Sequence, residues 1–449
     1  MCLASRSSRG AGALKPAKYV ATLWITLLLC AVAGTFGGTA QAAEWKHCAP
    51  PQGRQFETAT PEEVGLDPAA LQKVSELVAN PTRLNFKIFR NGCLVVTGPA
   101  NERTGALPWN LWSATKSVVS LVAGIAADEG KLDLDAPIGE YLPAGLGDEA
   151  HRAILVRNLL TESSGIDVAI IAEGVTGVTG LDANVVAQAL GTPIEAPQGT
   201  KYGYSQRGVD LLAYVVAQAV GEDLQDYAQR TLFDPLGIDR ADYHWARDRS
   251  GNTYGHAHLV LAPDDFAKLG LLVADRGRWG DRQVVSAAYL ARASEPSPAM
   301  KCWGFLFVVN GPGCGSEFAG LPADAVKMSG MLRQDNYIVP SLDLVVSWTG
   351  VTVPGSAVSY PHDVLRAIGA AFRDPVLPDP GPYVPQPDVS LSDPRMSDPT
   401  ATFAALGLGP YAYPGCDPVV CLGKPLPPPF SDWPSGCIIL GCFTPRPGD

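Results

Sequence analysis

Apolar residues recur at helical spacing in several stretches of the chain. After the N-cap Asp67 and Pro68, they return every three or four positions, which predicts a helix over 68–79. A second apolar stripe follows Ser113 and stops at Gly130. The same spacing predicts further helices after Tyr204-Ser205-Gln206 as far as Gly221, from Pro263 onward, and over 361–372.

Alternating apolar residues flank Asn91-Gly92, a dipeptide typical of a tight β-hairpin turn. They predict strands over 86–90 and 94–96, and three more strands are predicted over 305–309, 336–339 and 344–348. Strands early in the chain, helices and loops over 133–260, and strands late in the chain indicate an α+β fold. We expect an antiparallel sheet built from both chain ends and flanked by helices, with a mostly helical lobe inserted between them.

The first residues have the pattern of an export signal. Basic residues up to Lys18 precede an apolar run from Tyr19 to Val32, and Ala40-Gln41-Ala42 fits a cleavage site. We interpret residues 1–42 as a signal peptide, with an uncleaved anchor as the alternative, and residues 43–60 as an N-terminal extension. Because no later segment is long and apolar enough to span a bilayer, we expect a secreted or periplasmic protein.

Charge and cysteine content narrow the picture further. The formal net charge of −11 disfavours nucleic acid or an anionic membrane as a partner, and the scattered acidic residues indicate a solvated surface. Eight cysteines remain after the predicted cleavage, an even number that indicates disulfides in an exported chain. We pair Cys302 with Cys314 and Cys48 with Cys93, and expect Cys416, Cys421, Cys437 and Cys442 to pair among themselves. Zinc is the rival interpretation, but these cysteines form no C-x-x-C pair.

The proline-rich segment 374–449 contains the last four cysteines. Such a composition cannot bury much of a core, so we interpret the segment as a disulfide-clamped or extended tail. The tail could contact the cell wall or pack on the domain, but we favour an inert extension.

Ser113 and Lys116 are the first candidates for chemistry. Both lie near the start of a predicted helix and three residues apart, so they share one helix face. A serine hydroxyl needs a nearby base to become a nucleophile, and the free N–H groups of a helix start can stabilise an oxyanion. Ser-x-x-Lys is common by chance, so its meaning depends on the rest of the chain. No Gly-x-Ser-x-Gly elbow occurs, which disfavours an α/β-hydrolase, and we interpret His256-Ala257-His258 as loop or surface histidines rather than metal ligands.

Three further stretches follow in order: Leu159-Leu160-Thr161-Glu162-Ser163-Ser164-Gly165, Tyr204-Ser205-Gln206 and Met328-Ser329-Gly330. Together with Ser113 and Lys116 they resemble the motifs of the serine β-lactamase and penicillin-binding-protein superfamily. The closest resemblance is to its class C β-lactamase, esterase and 6-aminohexanoate-dimer hydrolase branch. It covers residues 60–372 and implies a β-lactamase/transpeptidase-like domain over 61–373. Supporting stretches are Asp234-Pro235-Leu236-Gly237, Gly277-Arg278-Trp279, Gln334 and Pro340.

The resemblance implies a role for each motif residue. Ser113 would attack the acyl carbon, and Lys116 and Tyr204 would form the proton relay, with the base of the first step left open. The backbone N–H groups of Ser113 and Met331 would form the oxyanion hole, and Gln206, Met328, Ser329 and Gly330 would contact substrate. The resemblance implies no metal or organic cofactor.

Two departures from the family pattern affect the expected substrate. Gln206 replaces an asparagine, and Met328 stands where the family usually has a cation or histidine that holds a substrate carboxylate. Lys327 is adjacent, but neighbouring side chains on a strand face opposite sides, so only a bulge would re-aim it. We therefore expect an exported serine hydrolase that cleaves an ester or neutral amide in a small-molecule or peptide-like substrate. The alternatives are a β-lactamase or D-amino-acid peptidase acting on cell-wall-like substrates, and a non-catalytic binding or sensor domain.

Overall fold

The computed structural model describes residues 45–51, 53–79, 83–168, 170–351, 359–385, 400, 403–404 and 406–443. The predicted signal peptide lies outside these ranges. The α-helices are α1 (Pro68–Val78), α2 (Asn101–Thr104), α3 (Ala114–Asp128), α4 (Glu149–Arg152), α5 (Val156–Leu160), α6 (Ile170–Thr179), α7 (Val185–Gly191), α8 (Gln206–Val220), α9 (Leu224–Ala228), α10 (Pro263–Ala274), α11 (Ala287–Ala293) and α12 (Tyr360–Gly369).

The strands of the amino-terminal and middle parts are β1 (Arg83–Arg90), β2 (Cys93–Thr97), β3 (Trp109–Asn110), β4 (His244–Trp245), β5 (Leu259–Leu261), β6 (Arg278–Trp279), β7 (Arg282–Gln283) and β8 (Val308–Val309). They are followed by β9 (Val326–Gly330), β10 (Gln334–Val339), β11 (Leu344–Gly350), β12 (Val420–Cys421), β13 (Lys424–Pro425), β14 (Cys437–Ile438) and β15 (Gly441–Cys442).

The main sheet has six strands in the order β2-β1-β11-β10-β9-β8, and each described neighbouring pair is antiparallel. The predicted hairpin joins β1 to β2, with Asn91 and Gly92 both at positive φ as a type I′ turn requires. Beside β1 lies β11, from the other end of the domain, with Phe86 opposite Trp348. The expectation of an α+β sheet built from both chain ends is therefore confirmed.

Alternation along the strands divides the core between the two faces of the sheet. On β1 and β11, Ile88 and Val346 pack into a cluster with residues of α1 and α12. Phe89 and Val345 point the other way, into a cluster with α3, α8 and α10. This second face buries α3 from Ala114 to Ala126, so the helix that carries Lys116 lies inside the protein. Its Ser113 end lies beside β9, which packs against the same helix.

The strand predicted over 305–309 is shorter than expected. Only Val308–Val309 pairs in the sheet, because the preceding residues find other partners. Leu306 has a positive φ, donates its N–H to the carbonyl of Leu160 and accepts the Ser117 hydroxyl. These bonds replace a strand ladder and attach the segment to α3 and to the end of α5.

The described residues form four disulfides: Cys48–Cys93, Cys302–Cys314, Cys416–Cys421 and Cys437–Cys442. The first two are the pairs we predict, and the other two join the last four cysteines among themselves, as expected. Our preference for an inert tail needs correction, since described residues between 406 and 443 pack on the domain. Strands β14 and β15 complete a second sheet in the order β14-β15-β3-β5-β4, and Arg249 donates to the carbonyls of Pro418 and Pro427. Backbone carbonyls of the tail thus accept hydrogen bonds from the domain rather than from water alone. Within the described ranges, no helix combines the length and apolarity needed to cross a bilayer.

Candidate active site

Ser113 is presented by a short strand, one strained residue and a helix start. Strand β3 leads into Leu111, whose N–H donates to the carbonyl of Leu259 at 2.9 Å. Trp112 follows with φ of 50°, a costly conformation for a bulky residue. Its N–H is held by Asn110 Oδ1 at 2.9 Å, and α3 begins directly after Ser113. The position of Ser113 is therefore set by hydrogen bonds to neighbouring segments rather than by the backbone preference of Trp112.

A glycine allows β9 to pass directly against residues 111–113, which connect β3 to α3 and are called the serine loop below. A Cβ at Gly330 would lie 2.0 Å from the carbonyl oxygen of Leu111, so no larger residue fits without moving the backbone. Met331 follows, half-exposed at the mouth of the adjoining cavity. The two predicted oxyanion-hole residues, Ser113 and Met331, thus lie at the start of α3 and just after β9, and the first N–H groups of a helix have no acceptor within it.

Lys116 is buried beneath Ser113 and is surrounded by uncharged acceptors. Its Nζ donates to Ser113 Oγ at 3.3 Å, to the carbonyl of His256 at 3.2 Å and to Gln206 Oε1. The same Nζ lies 4.5 Å from the centre of the Tyr204 ring. The structure therefore brings together the three predicted catalytic residues, with Lys116 as the contact between the other two.

Gln206 takes part in this arrangement through its side-chain oxygen. The residue opens α8, where Ser205 caps the helix and the Gln206 N–H donates to Glu173 Oε2 at 2.9 Å. Because these bonds fix the backbone at Gln206, its side chain, one methylene longer than the family's asparagine, reaches Lys116 and places an amide oxygen on the lysine amine.

A cavity of about 690 Å³ adjoins Ser113 and is lined mainly by apolar groups. Val175 and Val178 of α6 form one wall, and Trp112, Trp303 and Val308 contribute others. Three of the four predicted substrate contacts line the cavity: Gln206, Ser329 and Gly330. No lysine or arginine occurs among the described lining residues.

Met328 does not face this cavity. It is fully buried in the core with α3, and its sulfur lies 3.8 Å from Asn336 Nδ2. Lys327 points to the opposite side of β9, where its Nζ donates to Glu317 Oε2 at 2.8 Å. The register of β9 and β10 is continuous over the five paired positions, so no bulge re-aims Lys327. Position 328 therefore supplies no positive charge to the cavity, and the charge of Lys327 is directed away from it.

The histidines of His256-Ala257-His258 lie in a loop, as predicted, but they are not surface residues, which corrects that part of our interpretation. Both are buried, at 3% and 2% exposure, and both line the cavity. His256 Nδ1 lies 2.9 Å from Asp210, a carboxylate that Arg207 also holds. Burial lowers the pKa of both histidines, which keeps the rings neutral near neutral pH. The apolar run Leu259–Leu261 that follows them was the sequence signal for a buried segment.

Glu162, in the stretch after α5, is a further buried group that motif reasoning missed. It has a φ of 48°, and its Oε2 accepts the Tyr202 hydroxyl at 3.3 Å. No partner for its other oxygen occurs in the described part of the chain. Burial raises the pKa of Glu162 to about 8, against the opposing effect of Lys116, so the carboxyl is mostly protonated at neutral pH.

Comparison with known proteins follows the same motifs. A family model described as Beta-lactamase matches residues 86–360. The chain belongs to the Beta-lactamase family. The match contains Ser113, Lys116, Tyr204 and Gly330, and confirms the resemblance to the serine β-lactamase and penicillin-binding-protein superfamily.

Relatives within the Beta-lactamase family carry several activity names. "Esterase/beta-lactamase LipL" of Mycobacterium tuberculosis is 27% identical over 191 residues, which are 40% of this chain and 42% of that protein. A "Putative D-alanyl-D-alanine carboxypeptidase" of Escherichia coli O157:H7 is 25% identical over 276 residues, or 49% of this chain and 63% of that one. The chain thus spans about half the length of these curated relatives.

A solved structure shows the same fold. A putative β-lactamase from Bacteroides dorei superposes with a TM-score of 0.55 at 17% identity, covering 69% of this chain and 99% of that one. This agreement establishes a β-lactamase/transpeptidase-like fold, as the motifs imply.

Proposed function

We propose that the protein is an exported serine hydrolase that cleaves an ester, or a neutral amide, through an acyl-enzyme on Ser113. One observation carries the proposal. Lys116 Nζ lies 3.3 Å from Ser113 Oγ and 4.5 Å from the centre of the Tyr204 ring, and both Ser113 and Tyr204 line an apolar cavity. A nucleophile and its proton relay within contact distance are what acyl transfer requires.

The reaction has two steps. In the first, the Ser113 hydroxyl gives its proton to the Lys116–Tyr204 pair while Oγ bonds to the acyl carbon. The bond from that carbon to the leaving alcohol or amine then breaks, and the leaving group takes the proton. In the second step, water attacks the acyl carbon and gives up a proton to the same pair. The bond from that carbon to Oγ then breaks, Oγ takes the proton from the pair, and the acid is released with Ser113 restored.

Lys116 is suited to pass a proton in either direction because its three acceptors are uncharged. A lysine that forms no ion pair can change protonation state without leaving a carboxylate unpaired in the interior. The backbone N–H groups of Ser113 and Met331 would stabilise the negative charge on the substrate oxygen. The strained Trp112 and the close approach of Gly330 would hold these two groups at a fixed separation.

The cavity supports an uncharged acyl group as substrate. Its described lining contains no lysine or arginine, Met328 lies in the core, and Lys327 is paired on the other side of β9. A substrate carboxylate would therefore be buried without a counter-charge, which is costly. Esters with bulky apolar acyl groups fit these walls better than penicillins do.

Export is supported by the sequence and by the covalent structure. The pattern of residues 1–42 predicts a signal peptide, and the four disulfides suit an oxidising compartment.

Intact-mass labelling of Ser113 tests the proposal. The mature protein is treated separately with a fluorophosphonate and with penicillin G, and hydrolysis of an activated apolar ester is followed in parallel. We expect a fluorophosphonate adduct, ester turnover, no stable penicilloyl adduct and no consumption of penicillin. Ser113→Ala should lose the adduct and the turnover while melting normally.

Other outcomes would contradict this assignment. A penicilloyl adduct or penicillin turnover would favour the β-lactamase or D-amino-acid peptidase alternative. Folded wild-type protein with neither adduct nor turnover would favour a binding domain.

A further inference from the structure

The C-terminal disulfide hairpin forms an edge of the sheet that carries the serine loop. Strand β15 pairs with β3, with Gly441 opposite Trp109, and the Cys442 N–H donates to the carbonyl of Pro108 at 2.9 Å. A Cβ at Gly441 would lie 2.5 Å from that same carbonyl, so the close fit requires a glycine. The Cys437–Cys442 disulfide closes this hairpin, which consists of residues 437–442.

Asn110 joins the hairpin to the domain. It is buried, and its backbone N–H donates to the carbonyl of Leu440 at 3.0 Å. Its side-chain Nδ2 donates to the carbonyl of Ile439 at 2.8 Å. The hairpin thus accepts two hydrogen bonds from this residue and fixes which end of the Asn110 amide is the donor.

The other bonds of Asn110 reach the candidate active site. Since Nδ2 faces Ile439, Oδ1 is left to accept the N–H of Trp112, the residue at positive φ before Ser113. Nδ2 also lies 3.0 Å from His258 Nδ1. As Nδ2 can only donate, His258 Nδ1 accepts and its proton resides on Nε2, on the ring that lines the cavity. One amide therefore orients both the serine loop and a cavity histidine.

We infer that the Cys437–Cys442 hairpin is a positioning element of the active site, which acts on Ser113 through Asn110 and Trp112. The inference rests on the proposed function. The disulfide keeps the hairpin docked on β3, the hairpin holds the Asn110 amide, and the amide holds Trp112 in its left-handed conformation. Releasing the hairpin frees Trp112 to relax and moves Ser113 Oγ away from its productive position.

The test measures the rate of fluorophosphonate labelling of Ser113 and ester hydrolysis in the full chain. The variants are Asn110→Ala, Gly441→Val and the double variant Cys437→Ser/Cys442→Ser. The control is Cys416→Ser/Cys421→Ser, which removes a tail disulfide of the same sequence separation whose described hydrogen bonds do not reach 108–113. Thermal melting identifies the variants that fold.

We expect labelling to slow about 100-fold in Asn110→Ala and about tenfold in the two hairpin variants, since small misplacements of a reacting group carry such costs. The loss should fall mainly on kcat, because Ser113 is misplaced while the cavity walls formed by α6, Trp303 and Val308 are left intact. Amide hydrogen exchange in the segment 109–116 should rise in the same variants. The control should match the wild type in all three measurements.

A folded variant of Asn110, Gly441 or the Cys437–Cys442 pair that is labelled within about twofold of the wild-type rate overturns the inference, since misplacement should cost far more. A wild-type protein that is not labelled at all contradicts the proposed function instead. In that case hydrogen exchange alone decides the positioning role, and unchanged exchange in 109–116 refutes it.

Discussion

Two buried lysines on opposite sides of β9 differ in what surrounds them. Lys116 lies 4.5 Å from the ring centre of Tyr204, and Lys327 lies 5.2 Å from that of Tyr337. Lys327 also pairs with the carboxylate of Glu317 at 2.8 Å. Lys116 bonds a hydroxyl, an amide oxygen and a carbonyl, with no carboxylate within ion-pair distance among the described residues.

This difference separates a structural cation from a reactive one. Burial lowers the pKa of Lys327, but the acidic groups around it, Tyr337 first, outweigh burial and hold the pKa above its ordinary value. Lys327 therefore stays charged at neutral pH. Lys116 has the same kind of aromatic neighbour as Lys327 but no carboxylate partner among the described residues. Because Lys327 is held by Glu317, its position next to Met328 in the sequence does not let it replace the family's cation.

The largest effect should come from Lys116→Ala. Without the lysine, Ser113 loses the relay group that contacts its hydroxyl, and we expect fluorophosphonate labelling and ester turnover to fall by about 10³-fold or more. Stopped-flow labelling measures the loss, and thermal melting confirms folding. A folded variant with wild-type rates would show that Lys116 has no part in the relay.

Gln206→Glu should give Lys116 a carboxylate partner, as Lys327 has in Glu317. The change places a carboxylate where the amide oxygen now accepts from Lys116, so the amine becomes part of an ion pair. We expect kcat to fall by roughly 10- to 100-fold and the pH profile to move to higher pH, as expected for loss of one general-base contribution. Gln206→Asn, the family residue, is the matched control and should retain most of the activity. Equal pH profiles for both variants would contradict the role assigned to the uncharged acceptor.

Lys327→Met should leave the chemistry intact. Glu317 is half-exposed and can be hydrated when its partner is lost, so the variant should fold, although removing one partner of an ion pair costs stability. We expect ester turnover within about twofold of wild type and a lower melting temperature. A large loss of turnover with normal melting would show that Lys327 serves the cavity after all.

The smallest effect should be a pH-dependent shift in stability from Glu162→Gln. Because burial raises the pKa of Glu162 to about 8 from 4.5, the folded state favours its uncharged form. Its contribution to the free energy of unfolding is thus complete below pH 4.5 and is lost as the pH rises toward 8. The neutral glutamine avoids this loss, so the variant should gain melting temperature relative to wild type between pH 5 and pH 8. An equal difference at both pH values would refute the raised pKa.

Much of the fold follows from local sequence signals. Asn91-Gly92 defines the β1–β2 hairpin because both of its residues tolerate positive φ. The N-cap Asp67 and the apolar stripe after it place α1 within one residue of its observed end. The alternation of side chains along β9 correctly predicts that Lys327 faces away from the site. Each of these signals lies within a few residues of the feature it predicts.

The parts that sequence reasoning missed depend on contacts between distant segments. Asn110 and Ile439 are joined by a hydrogen bond across more than 300 residues, and His258 becomes a cavity residue only where Asn110 orients it. No periodicity or motif near these residues predicts that the segments around Asn110, His258 and Ile439 come into contact. The motif pattern likewise does not predict that the Gln206 oxygen bonds Lys116, since only the packed position of α8 shows how far the longer side chain reaches. Its contact with substrate stays a prediction.

The pairing of β1 with β11 has a consequence for how the protein is made. Arg90 and Leu344 are partners across the sheet, so β1 must wait for more than 250 residues to be synthesised before its neighbour exists. Folds dominated by such distant pairings form slowly. A chain that remains incomplete through most of its synthesis can be threaded across a membrane before it closes. If the chain is exported as we propose, the serine loop, held by β9 and by the Cys437–Cys442 hairpin, would first become competent on the far side of the membrane, where disulfides can form.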